Sequence, residues 1–276
     1  MKKIVYNMCL AVAVLMTLSS CVKEKRDDCP CYLNFAHEGF DNNGYLDDIC
    51  LHVVNSDILE SQKTYRVEEM IYDICDIAVK KGDIDVYGLV GLSAMNISHN
   101  RLIIPLGKQC DPIWAFYDEV PAWGERALVY GKINKQHAKV RIALNMPSVN
   151  GLLAVKVIGN TCGMNMQTME AIRGEFACLA ENWESGLHVF RVPRQIDNSL
   201  LLEIWQVPAS NSFDINMTGG RKLSFLEIGK IISDRLGYNW NEESLRDIDI
   251  NIDYVKSMIT IKVQGWIKEE MYTIDI

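Results

Sequence analysis

The stretch KVRIALNMPSVNGLLAVKVIGN, Lys139 to Asn160, holds two apolar arms around a run of turn formers. In the first arm Val140, Ile142 and Leu144 alternate with Lys139 and Arg141. Successive side chains on a strand point to opposite faces, so this spacing predicts a strand with one buried and one solvated face. MPSVNG, Met146 to Gly151, gathers Pro, Ser, Asn and Gly, which favour turn conformations. LLAVKVIGN then restarts the strand pattern. We therefore expect a domain boundary here, with one domain over 29–147 and a second over 148–276.

Short apolar segments continue on both sides. Before the turn they are CYLNF, CLHVV, RLIIPLG, PIWAFYD and RALVYGKI; after it they are GEFACLAE, LHVFRVP, LLLEIWQV and FDINM. DIAVKKGDIDVYGLVGL reads as a hairpin about Lys81-Gly82, although Tyr65–Lys80 also fits an amphipathic helix. In LSFLEIGKIISDRLG, Ser224 and Glu227 have capping-box spacing and Gly237 can end a helix. Phe225, Ile228, Ile231, Ile232 and Leu236 would form its apolar face. DIDINIDY and MITIKVQGW close the chain as alternating strands. Short strands separated by frequent turns predict a mainly β protein of two tandem antiparallel β-sandwich domains, with one helix in the second.

The chain opens with Lys2 and Lys3, followed by an apolar run to Leu18. A basic start and a short apolar run form a secretory signal over 1–20. The run is shorter than the roughly 20 residues that a membrane span needs. Leu18-Ser19-Ser20-Cys21 fits a lipoprotein cleavage site, with Cys21 as the acceptor for diacylglycerol and an N-acyl chain such as palmitate. One acyl chain gives marginal membrane binding and two or more give a stable anchor. Residues 21–28, largely charged, read as a solvated tether. Two of the 28 basic residues lie in the signal, which leaves 26 against 36 acidic ones and a net charge of −10 after cleavage. That balance argues against a nucleic-acid partner, because phosphate binding needs a basic surface.

Catalytic patterns are absent. The histidines, His37, His52, His99, His137 and His188, lack metal-ligand spacing. Asp247, Asp249, Asn251 and Asp253 alternate with isoleucines, and the stretch lacks the Gly and Glu of a calcium loop, so it reads as the solvent face of a strand. Gly219-Gly220-Arg221-Lys222 does not fit a phosphate-binding loop, and Asp83 and Asp85 read as polar hairpin residues. No enzyme activity, metal or other cofactor is expected. Beyond Cys9 and Cys21 seven cysteines remain, an odd number. In an oxidising compartment some can pair, and Cys29 with Cys50 is the expected disulfide because both flank the first strand region. Trp114, Phe116, Tyr117 and Trp123 cluster about a proline-bearing loop; most belong to a core, and some can face a partner or a sugar.

Together these elements resemble the FimB-like fimbrial anchor and assembly lipoproteins of Bacteroidales. The resemblance rests on Cys21, RDDCPCYLNF, CLHVV, GDIDVYGL, LIIPLG with DPIWAF, KVRIAL, VIGNTCG, RGEF, LLLEIWQ, LGYNWNEESLRDIDINI with the following Asp253-Tyr254, and ITIKV. It implies two transthyretin-like sandwiches, no catalysis, and an outer-membrane, surface-exposed position held by lipid on Cys21. It also implies a role in anchoring fimbriae, with the fimbrial shaft subunit (fimbrillin) engaged by strand complementation. The alternative is a surface glycan-binding lipoprotein of a polysaccharide-uptake system. A glycan platform predicts coplanar exposed aromatics, whereas an anchor predicts an open strand edge.

Overall fold

The structure is a computed structural model that describes residues 29–36, 48–56, 58–66, 69–70, 77–93, 96–98, 100–146, 152–183, 186–208, 214–263 and 269–273. The expected signal, the tether and Cys21 lie outside the described residues. The first strands are β1 (Cys31–Phe35), β2 (Asp48–Asn55), β3 (Ile58–Arg66), β4 (Ile77–Val79), β5 (Asp83–Val90), β6 (Asn96–Ser98) and β7 (Arg101–Ile103). Next come β8 (Trp114–Pro121), β9 (Arg126–Val129), β10 (Asn134–Lys135), β11 (His137–Asn145), β12 (Leu152–Asn165), β13 (Ala171–Leu179) and β14 (Glu181–Trp183). The chain continues through β15 (Leu187–Pro193), β16 (Leu201–Val207), β17 (Arg221–Leu226), helix α1 (Ile228–Leu236), β18 (Ile248–Asp253), β19 (Met258–Val263) and β20 (Glu269–Thr273).

Two sandwiches result. In the first, the sheet β4-β1-β9 faces the sheet β10-β8-β5-β2-β3. Alternate residues of each sheet meet between them: Leu33 and Phe35 from β1, Ile49, Leu51 and Val53 from β2, Ile84 and Val86 from β5, and Phe116 from β8. Phe116 is central. A Cβ on Gly88 or on Gly131 would stand 2.2 Å from its ring, so both positions hold glycine to let the ring approach. In the second sandwich, β14-β15-β11-β18-β19-β20 faces β17-β16-β12-β7-β6, with β13 added on β12. The isoleucines of DIDINIDY, 248, 250 and 252, are buried there beside Val140 and Ile142. Most ladders are antiparallel; β1 with β9 and β11 with β18 are parallel.

Sheet membership does not follow the boundary expected at 147/148. β7 pairs with β12 and β11 pairs with β15 and β18, so three strands that precede the turn belong to the second sandwich. The five-stranded sheet is also buried on both faces. Ile84 and Val86 point into the first core, whereas Tyr87 and Leu89 join the second. This explains why VYGLV in β5 reads as a nearly continuous apolar run.

Three local readings are corrected. β4 and β5 do not form a hairpin: β4 pairs with β1 and β5 with β2 and β8, so Lys80–Gly82 carries the chain from one sheet to the other. Ser224 is not a helix cap. It lies in β17 opposite Ile204, and the N-cap Glu227 makes no side-chain capping bond. Part of FDINM is a turn: the Asp214 carboxylate accepts the Asn216 amide at 3.1 Å and its carbonyl accepts the Met217 amide at 3.0 Å. Gly237 does end α1, with φ 63° and its amide bonded to the Ser233 carbonyl. Ile228, Ile232 and Leu236 face the core, while Phe225 stays exposed in β17.

Candidate strand-docking edge

β3 follows β2 through a tight turn in which Ser56 takes a left-handed φ of 48°. It pairs with β2 along its inner side, with a register shift near Val54. On its outer side no strand pairs with it among the described residues. Its first two residues, Ile58 and Leu59, are 69% and 50% exposed. An edge strand offers unpaired N–H and C=O groups, and proteins usually shield such edges with charge, shortness or cover. Here the strand is nine residues long, the Glu69 carboxylate accepts the amide of its last residue, Arg66, at 3.2 Å, and aliphatic side chains mark the end nearest the turn.

Two hollows flank this edge. One, of about 870 Å³, lies between Ile58 and Leu59 and the edge strand β4, with Ala78, Val79 and Lys81 on its far wall. The Asn55 side-chain amide, which donates to the Lys80 carbonyl at 3.4 Å, ties the turn to that wall. The other, of about 510 Å³, is shared by Leu59 and Gln62 of β3 with Ile97 of β6, itself the edge of a sheet in the second sandwich. Ile97 is also exposed. Thus three edges that are unpaired among the described residues and three exposed aliphatics converge, an arrangement that can accept an extended segment through backbone pairing and side-chain pockets. β3 carries Glu60, Lys63 and Arg66 beyond its aliphatic start; among the described residues β13, added on β12, is equally long, and the remaining sheet edges are shorter. β10 has two residues and β14 three. β17 presents Arg221 and Lys222, with Lys222 bound to Glu203.

The sequence expectations distribute as follows. Cys29 and Cys50 are free thiols that the structure does not bring together. Cys29 shares the first hollow with Asn55, and Cys50 lies five residues away along β2. The Cys50 thiol is 3.4 Å from His52 Nε2, and burial raises the thiol pKa and lowers that of the imidazole, so the pair is neutral. His52 stacks on Tyr87 with centroids 4.9 Å apart. His137 donates through Nδ1 to the Ile113 carbonyl at 3.1 Å, and His188 is buried; desolvation pushes each down to about 4. Cys110 and Cys178 are buried thiols, and burial pushes Cys178 up to about 12.

The carboxylates of DIDINIDY are engaged. Asp247 pairs with Lys135, Asp249 holds Arg141 through two bonds, and Asp253 accepts the amides of Val255 and Lys256 at 3.0 Å. No group of three or more potential metal ligands occurs among the described residues. The aromatic cluster disperses. Phe116 is core, Tyr117 donates to Asp85 at 2.8 Å, and Trp123, 62% exposed, donates to Asp83 at 2.9 Å. Exposed Tyr32, Trp123, Tyr130 and Phe225 stand on separate elements. Ile58, Leu59 and Ile97 were not singled out from the sequence; two large aliphatics directly after the turn formers of NSD were the available signal.

No family model and no curated protein matches the sequence. Solved structures do match in fold. A candidate polysaccharide-binding protein from Bacteroides thetaiotaomicron has a TM-score of 0.59 at 10% identity, over 90% of this chain and 99% of that one. A candidate adhesin from Bacteroides ovatus has a TM-score of 0.57 at 12% identity, over 88% and 96%. The fimbrial anchor protein Mfa2 from Porphyromonas gingivalis has a TM-score of 0.53 at 12% identity, over 86% and 98%. The chain therefore shares the fold of these three proteins along nearly their whole length. No described helix is long and apolar enough to cross a membrane.

Proposed function

We propose that this chain is a lipoprotein of the outer-membrane surface that anchors fimbriae and aids their assembly by receiving a strand of the shaft subunit on the open edge of β3. The observation that carries this reading is the nine-residue edge with exposed Ile58 and Leu59, set between two hollows. The fold shared with the anchor protein Mfa2 supports the role. So does the sequence around Cys21, where a lipid would hold the chain while its sandwiches project outward. Strand addition satisfies backbone groups on both partners and lets the flanking hollows select side chains. The role requires no catalytic chemistry.

The membrane half of this role is tested in fimbriated cells with Cys21→Ala. The expected outcome is release of the chain from the membrane fraction and shedding of fimbriae into the medium. Retention of both chain and fimbriae on the cells would contradict it.

A further inference from the structure

At the junction of the two sandwiches a cleft of about 720 Å³ opens, away from β3. Its floor is polar and buried: Gln136 is 5% exposed, Arg194 9% and Gln195 1%. Arg194 donates through Nη1 to the carbonyls of Trp240 and, at 2.7 Å, Glu242. Through Nη2 it donates to Gln136 Oε1 at 2.9 Å and to the Glu243 carbonyl at 3.2 Å. Gln195 donates to the Pro193 carbonyl at 2.8 Å and accepts the Asn160 amide at 3.3 Å. This network ties the segment before β11, the segment after β15 and the loop after α1 into one rigid base. The cleft is therefore preformed, and its volume lies within the roughly 300–1,000 Å³ usual for small-ligand sites.

The walls discriminate among ligands. Lys132 is paired with Glu243 at 2.8 Å, and Arg194 is committed to carbonyl oxygens. Glu170, Glu242 and Glu243 face Lys132 and Arg194 in the lining, so acids outnumber cations among the described residues and the charge does not favour a phosphate or a polyanion. Aliphatic lining is limited, chiefly Ile196 and Met169, which does not suit a lipid chain or an apolar helix. At the rim Tyr130 is 68% exposed, and neither its hydroxyl nor the Asn241 side-chain amide has a protein partner among the described residues. An exposed phenol ring beside the Asn241 amide and the Glu170 carboxylate, one oxygen of which accepts the Thr168 hydroxyl at 3.2 Å, matches a ligand with apolar ring faces and a periphery of hydroxyls.

We infer that this cleft binds a neutral saccharide segment, with the Tyr130 ring against a sugar face and Asn241 and Glu170 bonded to hydroxyls. The site is a cleft and not a platform. It is independent of the β3 edge, so either function can fail alone.

The test uses the purified full chain on an array of neutral and acidic oligosaccharides, followed by calorimetry with the best-retained glycan. Neutral glycans should be retained. Tyr130→Ala and Thr168→Trp, the second projecting a bulky ring into the cleft from an exposed turn, should each weaken binding by about tenfold or more. Leu59→Lys should leave it unchanged. Loss in either cleft variant with an unchanged circular dichroism spectrum supports the site. No retention on the array, retention of acidic glycans alone, or equal binding by both cleft variants overturns it.

Discussion

The two sandwiches use the same strand chemistry and finish it differently. The second has the larger core. Its core runs from Tyr87 to Val263, α1 packs on it, and its polar faces are cross-tied by Arg141–Asp249 and Lys222–Glu203, while Lys135 of β10 reaches across from the first sandwich to Asp247. The first has a three-stranded sheet facing a five-stranded one, and that larger sheet lends its back to the second core. Its free edge β3 begins with Ile58 and Leu59 in water. A solvent-exposed aliphatic edge is an association hazard unless it has a use. In the proposed reading the second sandwich is the scaffold and the first is the docking element.

The largest expected effect separates the two cores. Phe116→Ala should cost about 3–5 kcal/mol, because the ring is buried and two glycines are shaped around it. Hydrogen exchange should then quicken in β1 and β2 while β12 and β18 stay protected. Equal loss of protection everywhere would merge the two regions into one cooperative unit.

Acid sharpens the comparison next. His137 and His188 are held neutral in the folded chain, with pKa values pushed from 6.5 to about 4. The unfolded chain binds more protons in that window, so stability is full above pH 6.5 and falls as the pH drops toward 4. Each group contributes a slope of about 1.4 kcal/mol per pH unit between those limits. His188→Gln should flatten the urea-midpoint profile below pH 6.5; an unchanged slope would mean that His188 is not the titrating group. A smaller effect follows from the left-handed cap of α1: Gly237→Ala should lower stability by about 1 kcal/mol in a urea titration.

Much of this was legible in single segments. The alternation in KVRIALN and DIDINIDY placed Val140, Ile142 and the isoleucines at 248, 250 and 252 in a core, and they are buried. Gly237 announced a helix end for the same local reason. What was hidden depends on distant chain. A turn between two strands of one sheet and a link between two sheets share a local signature, so KKG around Gly82 could not reveal that β4 and β5 part. Ser224 and Glu227 had cap spacing, yet pairing of β17 with β16 claims Ser224 first. The edge at Ile58 and Leu59 is defined by the strand that is missing beside it, which no local pattern encodes. The cleft floor joins Gln136, Arg194 and Glu243, residues far apart in sequence.

The smallest effect on stability carries the most weight for function. Leu59→Lys replaces an exposed side chain, so the urea midpoint should move by no more than about 0.5 kcal/mol in equivalent stability. The decisive measurement is the binding of purified fimbrial shaft subunit to the immobilised chain, comparing wild type, Leu59→Lys and the control Phe225→Lys on β17. The open-edge proposal predicts that Leu59→Lys weakens binding at least about tenfold while Phe225→Lys binds as wild type. Undiminished binding by a folded Leu59→Lys chain, or loss only in Phe225→Lys, would contradict it.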